Sequence, residues 1–481
     1  MENKILNSFK WDLLGKIINQ SVGFVITIIL SRLLMPEDFG LLALLVAFTS
    51  LVNGFVNFGF SSALIQKKTI NITETSSVFF LNVFMGTVIT VIFFFLSKFI
   101  SEFYGDYRLN SLAKVFSLTF VINSTGLVSL ALLEKEMRFK ELMKIQTVSG
   151  MTSGVIGVTL ALNDYGVWSL LIQSLINELL KALLALRISS FKPLFLFNYN
   201  ALKPLGKYGF NLFLSGLLNS IFFRVDYLVM GKFFSPVLLG LFYRAKSFRT
   251  LIMRYTSDSL GKVFFPVFSK KQNDFSWMRK TILESLVIVS SLICFIATGL
   301  FVLSEEIFVI LFSEKWVGAI PYFKILLLSS ITFPIISIFS NVINGMGFSK
   351  KFLFTDIFEK IGILFGLIFA IYYKDFFIYL YIDLFVRYLN VFLFLYTVNK
   401  IISIEIKKII FLLAFVSSVF LFSIFAISSV FSFFHDINIY FMFILKGVGV
   451  IIIFALAIFI ENKFNNNSIY KIFFKTLIKR K

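Results

Sequence analysis

Two residue types that build most metal and redox sites are almost missing from these 481 residues: there is one cysteine, Cys294, and one histidine, His435. A lone cysteine excludes an internal disulfide and a thiol metal cluster. It lies in the apolar run SLVIVSSLICFIATGLFVL, where its role is packing. His435 sits in the short loop SFFHDIN and reads as solvated; without a second histidine or a carboxylate cluster no metal site is expected. Charge is scarce too, at 15% against about 25% in soluble chains. Too little polar surface is left to cover a soluble core of this size. No GxxxxGK[ST], GxSxG or HExxH stretch occurs, and no extramembrane segment is long enough for a catalytic domain. No cleavable signal peptide is expected either, because MENKILNSFKWDLLGK runs straight into the first apolar segment.

Long hydrophobic runs are what the chain has instead, with 58% hydrophobic residues and 66 phenylalanines. A helix crosses the hydrocarbon with about 20 mostly apolar residues. Such segments fall near 12–34, 39–64, 76–99, 111–133, 146–163, 166–186, 205–231, 238–265, 281–303, 320–344, 352–373, 375–398, 408–430 and 438–460. The runs are too long and too unbroken for barrel strands, and backbone polar groups in lipid must bond within their own segment. The expected fold is therefore all-α and polytopic, with fourteen transmembrane helices. Basic residues concentrate in the N-terminal segment, the even-numbered connections and the C-terminal tail. The opposite side holds Arg32, Lys98, Arg108, Lys232, Lys315 and Lys374. That asymmetry places both termini in the cytoplasm. It also explains the net charge of +20 as anchoring to anionic lipid rather than nucleic-acid binding.

A short repeat divides the chain. Arg32-Leu-Leu-Met-Pro36-Glu-Asp-Phe-Gly40-Leu and Lys232-Phe-Phe-Ser-Pro236-Val-Leu-Leu-Gly240-Leu match at an offset of 200 residues, as do Asn19 and Asn219. Each stretch joins the first and second helix of its half. With six helices in each repeat both halves enter the membrane in the same sense, a known transporter plan. The expected organisation is an N-terminal six-helix lobe (1–190), a cytoplasmic linker (191–204), a second six-helix lobe (205–400), and two additional helices with a basic tail (401–481).

Ionisable residues inside the spans carry the functional reading. A charge at mid-bilayer costs at least about 2.5–3.5 kcal/mol, so it must sit in a paired or wet environment. The seventh span contains Arg224 and Asp226. The eighth carries Arg244, Lys246, Arg249, Arg254, Asp258 and Lys262, with Gly240, Arg244, Ser247, Leu251, Arg254, Asp258 and Lys262 along one stripe. Pairing of Arg224 with Asp226 and of Arg254 with Asp258, plus snorkelling, accounts for part of this charge. Pairing along the stretch 244–262 still leaves an excess of basic residues, which favours a water-filled cationic cavity. Further candidates for that cavity, or for coupling to an ion gradient, are Glu359, Lys360, Asp383 and Arg387. Asp383 and Arg387 equally form an ordinary i,i+4 pair. Glu284 and Lys324 read as interfacial. Asn53, Asn57, Gly59, Asn82, Asn123, Gln173 and Asn177 suit either a sugar path or interhelical contacts.

The segments SRLLMPEDFGLLALL, NFGFSSALIQKK, NDYGVWSLLIQ, FRVDYLVMGKFFSPVLLGLFYRA and FSEKWVGAIPYFKILLLSS, in this order, closely resemble bacterial polysaccharide exporters. These are the Wzx-type flippases of the multidrug/oligosaccharidyl-lipid/polysaccharide superfamily. The resemblance spans residues 5–400, with the last two helices matching by position. It implies two six-helix lobes in a V that open alternately to either side. The implied cargo is an undecaprenyl-diphosphate-linked oligosaccharide, moved across the bacterial inner membrane. By position, Arg224, Asp226 and Arg244 resemble charged residues of that family, whereas the basic density at Lys246, Arg249 and Arg254 departs from it. No cofactor is implied; coupling to H+ or another ion is open. Expected partners are the lipid-linked sugar, anionic lipids and polysaccharide assembly proteins, with the chain acting as a monomer. A lipid II flippase is the main alternative; a membrane glycan polymerase or ligase fits less well because every outer loop is short.

Overall fold

The computed structural model of the protein describes residues 2–431 and 438–464. His435 and the basic tail beyond residue 464 lie outside them. No strand occurs among the described residues, as hydrocarbon-length apolar runs require. Contacts group the chain into two compact units, Met1–Tyr243 and Arg244–Lys481.

The first unit contains α1 (Glu2–Leu33), α2 (Pro36–Asn57), α3 (Phe60–Gln66), α4 (Ile72–Tyr104), α5 (Arg108–Lys135), α6 (Phe139–Leu162), α7 (Val167–Ile188) and α8 (Tyr199–Phe233). Helix α4 packs on α5, α1 on α6, and α7 on both α5 and α6. Asn19 of the repeat is used here: its side chain donates to Gln146 Oε1 at 3.0 Å and accepts from Thr147 Oγ1 at 2.8 Å. The second expected span was to run unbroken to residue 64. It breaks instead at Phe58 and Gly59, both with positive φ (44° and 74°). A Cβ on Gly59 would stand 2.3 Å from the carbonyl oxygen of Gly209, so α8 passes too close for any other residue. Helix α8 packs along α2 and also touches α3 and α4.

At the other end of this contact the two copies of the repeat meet. A Cβ on Gly40 would fall 2.0 Å from the Pro236 carbonyl oxygen, and one on Gly240 would fall 1.7 Å from that of Pro36. The matching prolines open α2 and α9 (Pro236–Met253), where their missing N–H groups cost nothing. The repeat is thus a reciprocal backbone contact. Nearby, Arg108 bonds Glu37 and holds Asp106 at 2.7 Å. Burial pushes the Asp106 carboxyl up, but hydrogen bonds from the Arg108 side chain and backbone outweigh it and hold it below its ordinary value.

Between α7 and α8 the linker is extended. Its Leu194 and Asn198 N–H groups donate to Ser76 and Ser77 Oγ at 3.2 and 2.9 Å, and Phe195 stacks on Phe80. Phe195 is 96% exposed, with Phe197 and Tyr199 also open. An aromatic run beside Lys192 suits the headgroup layer, where amphipathic and basic anchors concentrate. Tryptophan placed at position 195 should be strongly quenched by lipids brominated near the headgroup; water-like emission without quenching would refute that placement.

The second unit holds the remainder of α9, a π-helical turn (Arg254–Asp258), α10 (Ser259–Lys270), α11 (Phe275–Val302), α12 (Ser304–Ile307), α13 (Ile320–Ser330), α14 (Thr332–Gly345), α15 (Ser349–Tyr373), α16 (Phe376–Ile402), α17 (Ile406–Phe431) and α18 (Ile439–Phe464). Its apolar core joins Ile282 and Leu286 of α11 to Phe339 and Val342 of α14, Phe394 of α16, and Val416 and Phe420 of α17. Cys294 lies in this core, its Sγ 3.3 Å from the Val416 carbonyl oxygen, which agrees with a packing role.

Among the described residues eleven helical stretches are long and apolar enough to cross a membrane. They coincide with eleven of the expected spans. The other three expected spans are also helical: α8, the α9–α10 stretch and α15. These three carry most of the in-span charges singled out above.

Candidate functional site

In the second unit, periodicity alone aligns a polar stripe. Asp383, Arg387 and Asn390 recur on α16 at i, i+4 and i+7 and therefore share one face. All three are buried, at 1%, 5% and 1% exposure. Arg387 Nε lies 3.0 Å from both carboxylate oxygens of Asp383, the expected i,i+4 pair. The pair does not stand alone. Arg249 of α9 reaches Asp383 Oδ2 at 2.9 Å, and Arg387 Nη1 reaches Glu359 Oε1 of α15 at 2.6 Å. Asn390 Nδ2 then donates to Glu359 Oε2 at 2.9 Å. Both guanidinium groups face one ring, that of Phe333, at 5.1 and 4.8 Å. Lys246 is buried as well and acts electrostatically on Asp383.

The chemistry of this arrangement is closed at its centre. Two guanidinium groups alternate with two carboxylates, so each buried charge meets an opposite one. Lys360 pairs with Asp356 at 2.7 Å, one turn from Glu359. Arg244 is buried too, and its guanidinium lies 5.0 Å from the ring centres of both Phe312 and Trp316. A weakly hydrated, planar cation tolerates such an aromatic cage better than an ammonium would.

Arg254 differs from its neighbours. The stripe expected on a 3.6-residue period is broad, since ten residues at about 100° each set Arg254 about 80° around the helix from Arg244. The π turn that begins at Arg254 rotates the chain further, and Arg254 is exposed. The side chains of Asp258 and Lys262 lie outside those described. In the first unit, Asp226 is buried and accepts from the Tyr227 N–H at 2.9 Å. Arg224 keeps partial exposure, 5.2 Å from the Phe223 ring and 5.6 Å from that of Tyr227. Of the amides proposed for a sugar path, Asn82 is fully buried with neither side-chain polar atom bonded among the described residues; Asn57 caps the break by accepting from the Ser61 N–H at 3.0 Å. Glu284 sits 3.9 Å from Lys280, and Lys324 lies over the Phe301 ring.

Sequence reasoning missed Phe333, Asn390 and Asp356, and with them the pair of buried Glu306 with partly buried Lys446. Asp356 and Asn390 had a readable signal, since each falls three residues from a residue already singled out. Glu306 and Lys446 had none, being 140 residues apart.

Comparisons with known proteins agree with this architecture. A family model described as polysaccharide biosynthesis protein matches residues 29–321, more than half the chain. The succinoglycan biosynthesis transport protein ExoT of Rhizobium meliloti (strain 1021) is 26% identical over 70% of this chain and 68% of its own length. The lipopolysaccharide biosynthesis protein WzxC of Escherichia coli (strain K12) is 26% identical over 70% and 69%. Among solved structures, the lipid II flippase MurJ in an inward closed conformation superposes with a TM-score of 0.74 at 17% identity, covering 97% of this chain and 99% of that one. An inward-facing MATE-family multidrug transporter of the MOP superfamily gives 0.61 at 14% identity over 80% and 98%. At these identities the structural likenesses establish a shared fold, while the family match and the relatives fix the lineage. The chain belongs to the polysaccharide biosynthesis protein family.

Proposed function

We propose that this protein moves a polyprenyl-diphosphate-linked oligosaccharide across the cytoplasmic membrane for surface polysaccharide assembly, by alternating access. The activity is transport, not catalysis. Fourteen spans, formed by the eleven apolar stretches together with α8, α9–α10 and α15, would leave both termini in the cytoplasm, in keeping with the distribution of lysine and arginine. The two six-helix repeats are the moving parts in this reading, and α17 and α18 are the additional helices. The chain works as a monomer among anionic lipids, with polysaccharide assembly proteins as further partners. No cofactor is called for; an H+ or other ion gradient drives the cycle, with Glu359, Lys360, Asp383 and Arg387 as the coupling network.

The observation that carries the proposal is basic charge buried inside apolar helices, at Arg244, Lys246, Arg249 and Arg387, in a chain of the polysaccharide biosynthesis protein family. A lipid-linked sugar diphosphate needs cationic contacts at the junction between polar head and lipid tail. Arg249 is engaged by Asp383, whereas Arg224 in the first unit is a partly exposed residue and Arg254 in the second an exposed one. Each is proposed, within its own unit, as a phosphate contact. In a strain lacking its own copy, Arg224→Ala and Arg254→Ala should each lower surface polysaccharide at least tenfold while membrane-inserted protein stays at wild-type level. Arg244→Ala should also reduce export, through loss of its aromatic seat. Undiminished polysaccharide in all three would overturn the proposal. The MurJ-like fold across nearly the whole chain favours lipid II transport as the second reading. Rescue of a strain depleted of its lipid II flippase, without rescue of a polysaccharide exporter mutant, would decide for it.

A further inference from the structure

Beside the charge network the second unit holds a cavity of about 270 Å³, lined by Ser257, Phe333, Ser337, Ser340, Asp356, Glu359, Asn390 and the rings of Phe352 and Phe394. We propose that this cavity binds one sugar ring of the transported glycan, a proposal that rests on the transport reading above.

Four polar groups point to a hydroxyl-bearing ligand. Asn390 is 1% exposed, lines the cavity, and its Oδ1 has no hydrogen-bond partner among the described residues. A buried amide oxygen left unpaired is costly, so a donor is wanted there. The Ser257 hydroxyl, on the same wall, is likewise without a partner. Asp356 and Glu359 add further acceptor lone pairs. The ligand must therefore bring hydrogen-bond donors.

Charge decides which donors. Asp356 is matched by Lys360, Glu359 by Arg387, and Asp383 by Arg249 and Arg387, with Lys246 adding positive potential. The wall is thus acceptor-rich without being net negative, which disfavours a bare metal cation and suits uncharged hydroxyl and amide N–H groups. Size agrees, because about 270 Å³ is many times the ~10–15 Å³ that one water needs and far more than one desolvated ion requires. Three phenylalanine rings supply apolar surface of the kind on which the C–H faces of a pyranose rest, while a few polar groups fix orientation. The π turn places Ser257 here: the Ser257 carbonyl oxygen, in a backbone stretch with altered hydrogen bonding, accepts from Ser337 Oγ at 3.0 Å.

The test compares two lipids on purified full-length protein in nanodiscs. One is the undecaprenyl-diphosphate-linked oligosaccharide isolated from the producing strain; the other is undecaprenyl diphosphate without sugar. Asn390→Leu, and separately Ser340→Val, should weaken binding of the glycan-bearing lipid at least tenfold and leave the bare diphosphate unaffected. Retained binding of the bare lipid also shows that each variant is folded. If wild-type protein binds neither lipid, the transport reading fails and this inference with it. If wild type binds both and the variants weaken neither, or weaken both alike, the sugar subsite alone is overturned.

Discussion

Asp383→Ala should be the most damaging single change in the second unit, lowering thermal stability sharply and abolishing export. The carboxylate bonds Arg249 on one side and Arg387 on the other, and all three side chains are buried. Removing it leaves two guanidinium groups facing the same Phe333 ring with only Glu359 to balance them. Breaking a buried ion pair in this way costs about 3–5 kcal/mol, because an uncompensated buried charge remains. Total stabilities are only about 5–15 kcal/mol. The expected result is a large drop in the unfolding midpoint of detergent-solubilised protein and little monodisperse material. Lowering the positive charge at the same site separates charge from packing. Arg249→Met added to Asp383→Asn should restore much of what Asp383→Asn alone removes, so the double change is less harmful than the two single effects summed. An Asp383→Ala protein as stable as wild type would show that the network is not a stability element.

Hydrophobic length carried most of the architecture into view from sequence. Runs such as 281–303 and 375–398 leave no choice but helix, since lipid offers no partner to an open backbone. Within one helix, periodicity was equally informative: Asp383 and Arg387 had to share a face. What periodicity could not supply was the depth and rotation at which helices meet. Arg249 lies 134 residues from Asp383, and Glu359 lies 28 from Arg387, so their meeting depends on packing between helices. The π turn at Arg254–Asp258 was hidden for another reason. It changes the hydrogen-bond register without proline or glycine inside it, and it detached Arg254 from the buried stripe. The break at Phe58–Gly59 needed knowledge of Gly209 opposite. Proline and glycine at an offset of 200 could be read as a repeat, but not as two surfaces that touch.

Gly240→Ala should separate α9 from α2 and leave little transport-competent protein, because one methyl group has no room there. Its Cβ would fall 1.7 Å from the Pro36 carbonyl oxygen, and the obstacle is backbone, which has no rotamer to yield. Gly40→Ala meets the Pro236 carbonyl oxygen at 2.0 Å and should act in the same direction. Overpacking against side chains costs about 1–3 kcal/mol, and a backbone obstacle should reach at least the upper end of that range. Gly216 and Gly299 serve as controls: each is helical with no atom near its would-be Cβ, so alanine there should be neutral or stabilising by up to about 1 kcal/mol. The reciprocal geometry makes a sharper demand on the double variant. Separation forced by one alanine opens space for the other, so the combined loss in unfolding midpoint should fall well short of the sum of the two single losses. Strict additivity would mean that the two copies of the repeat do not share one contact, and wild-type stability and export in Gly240→Ala would mean that they do not touch at all.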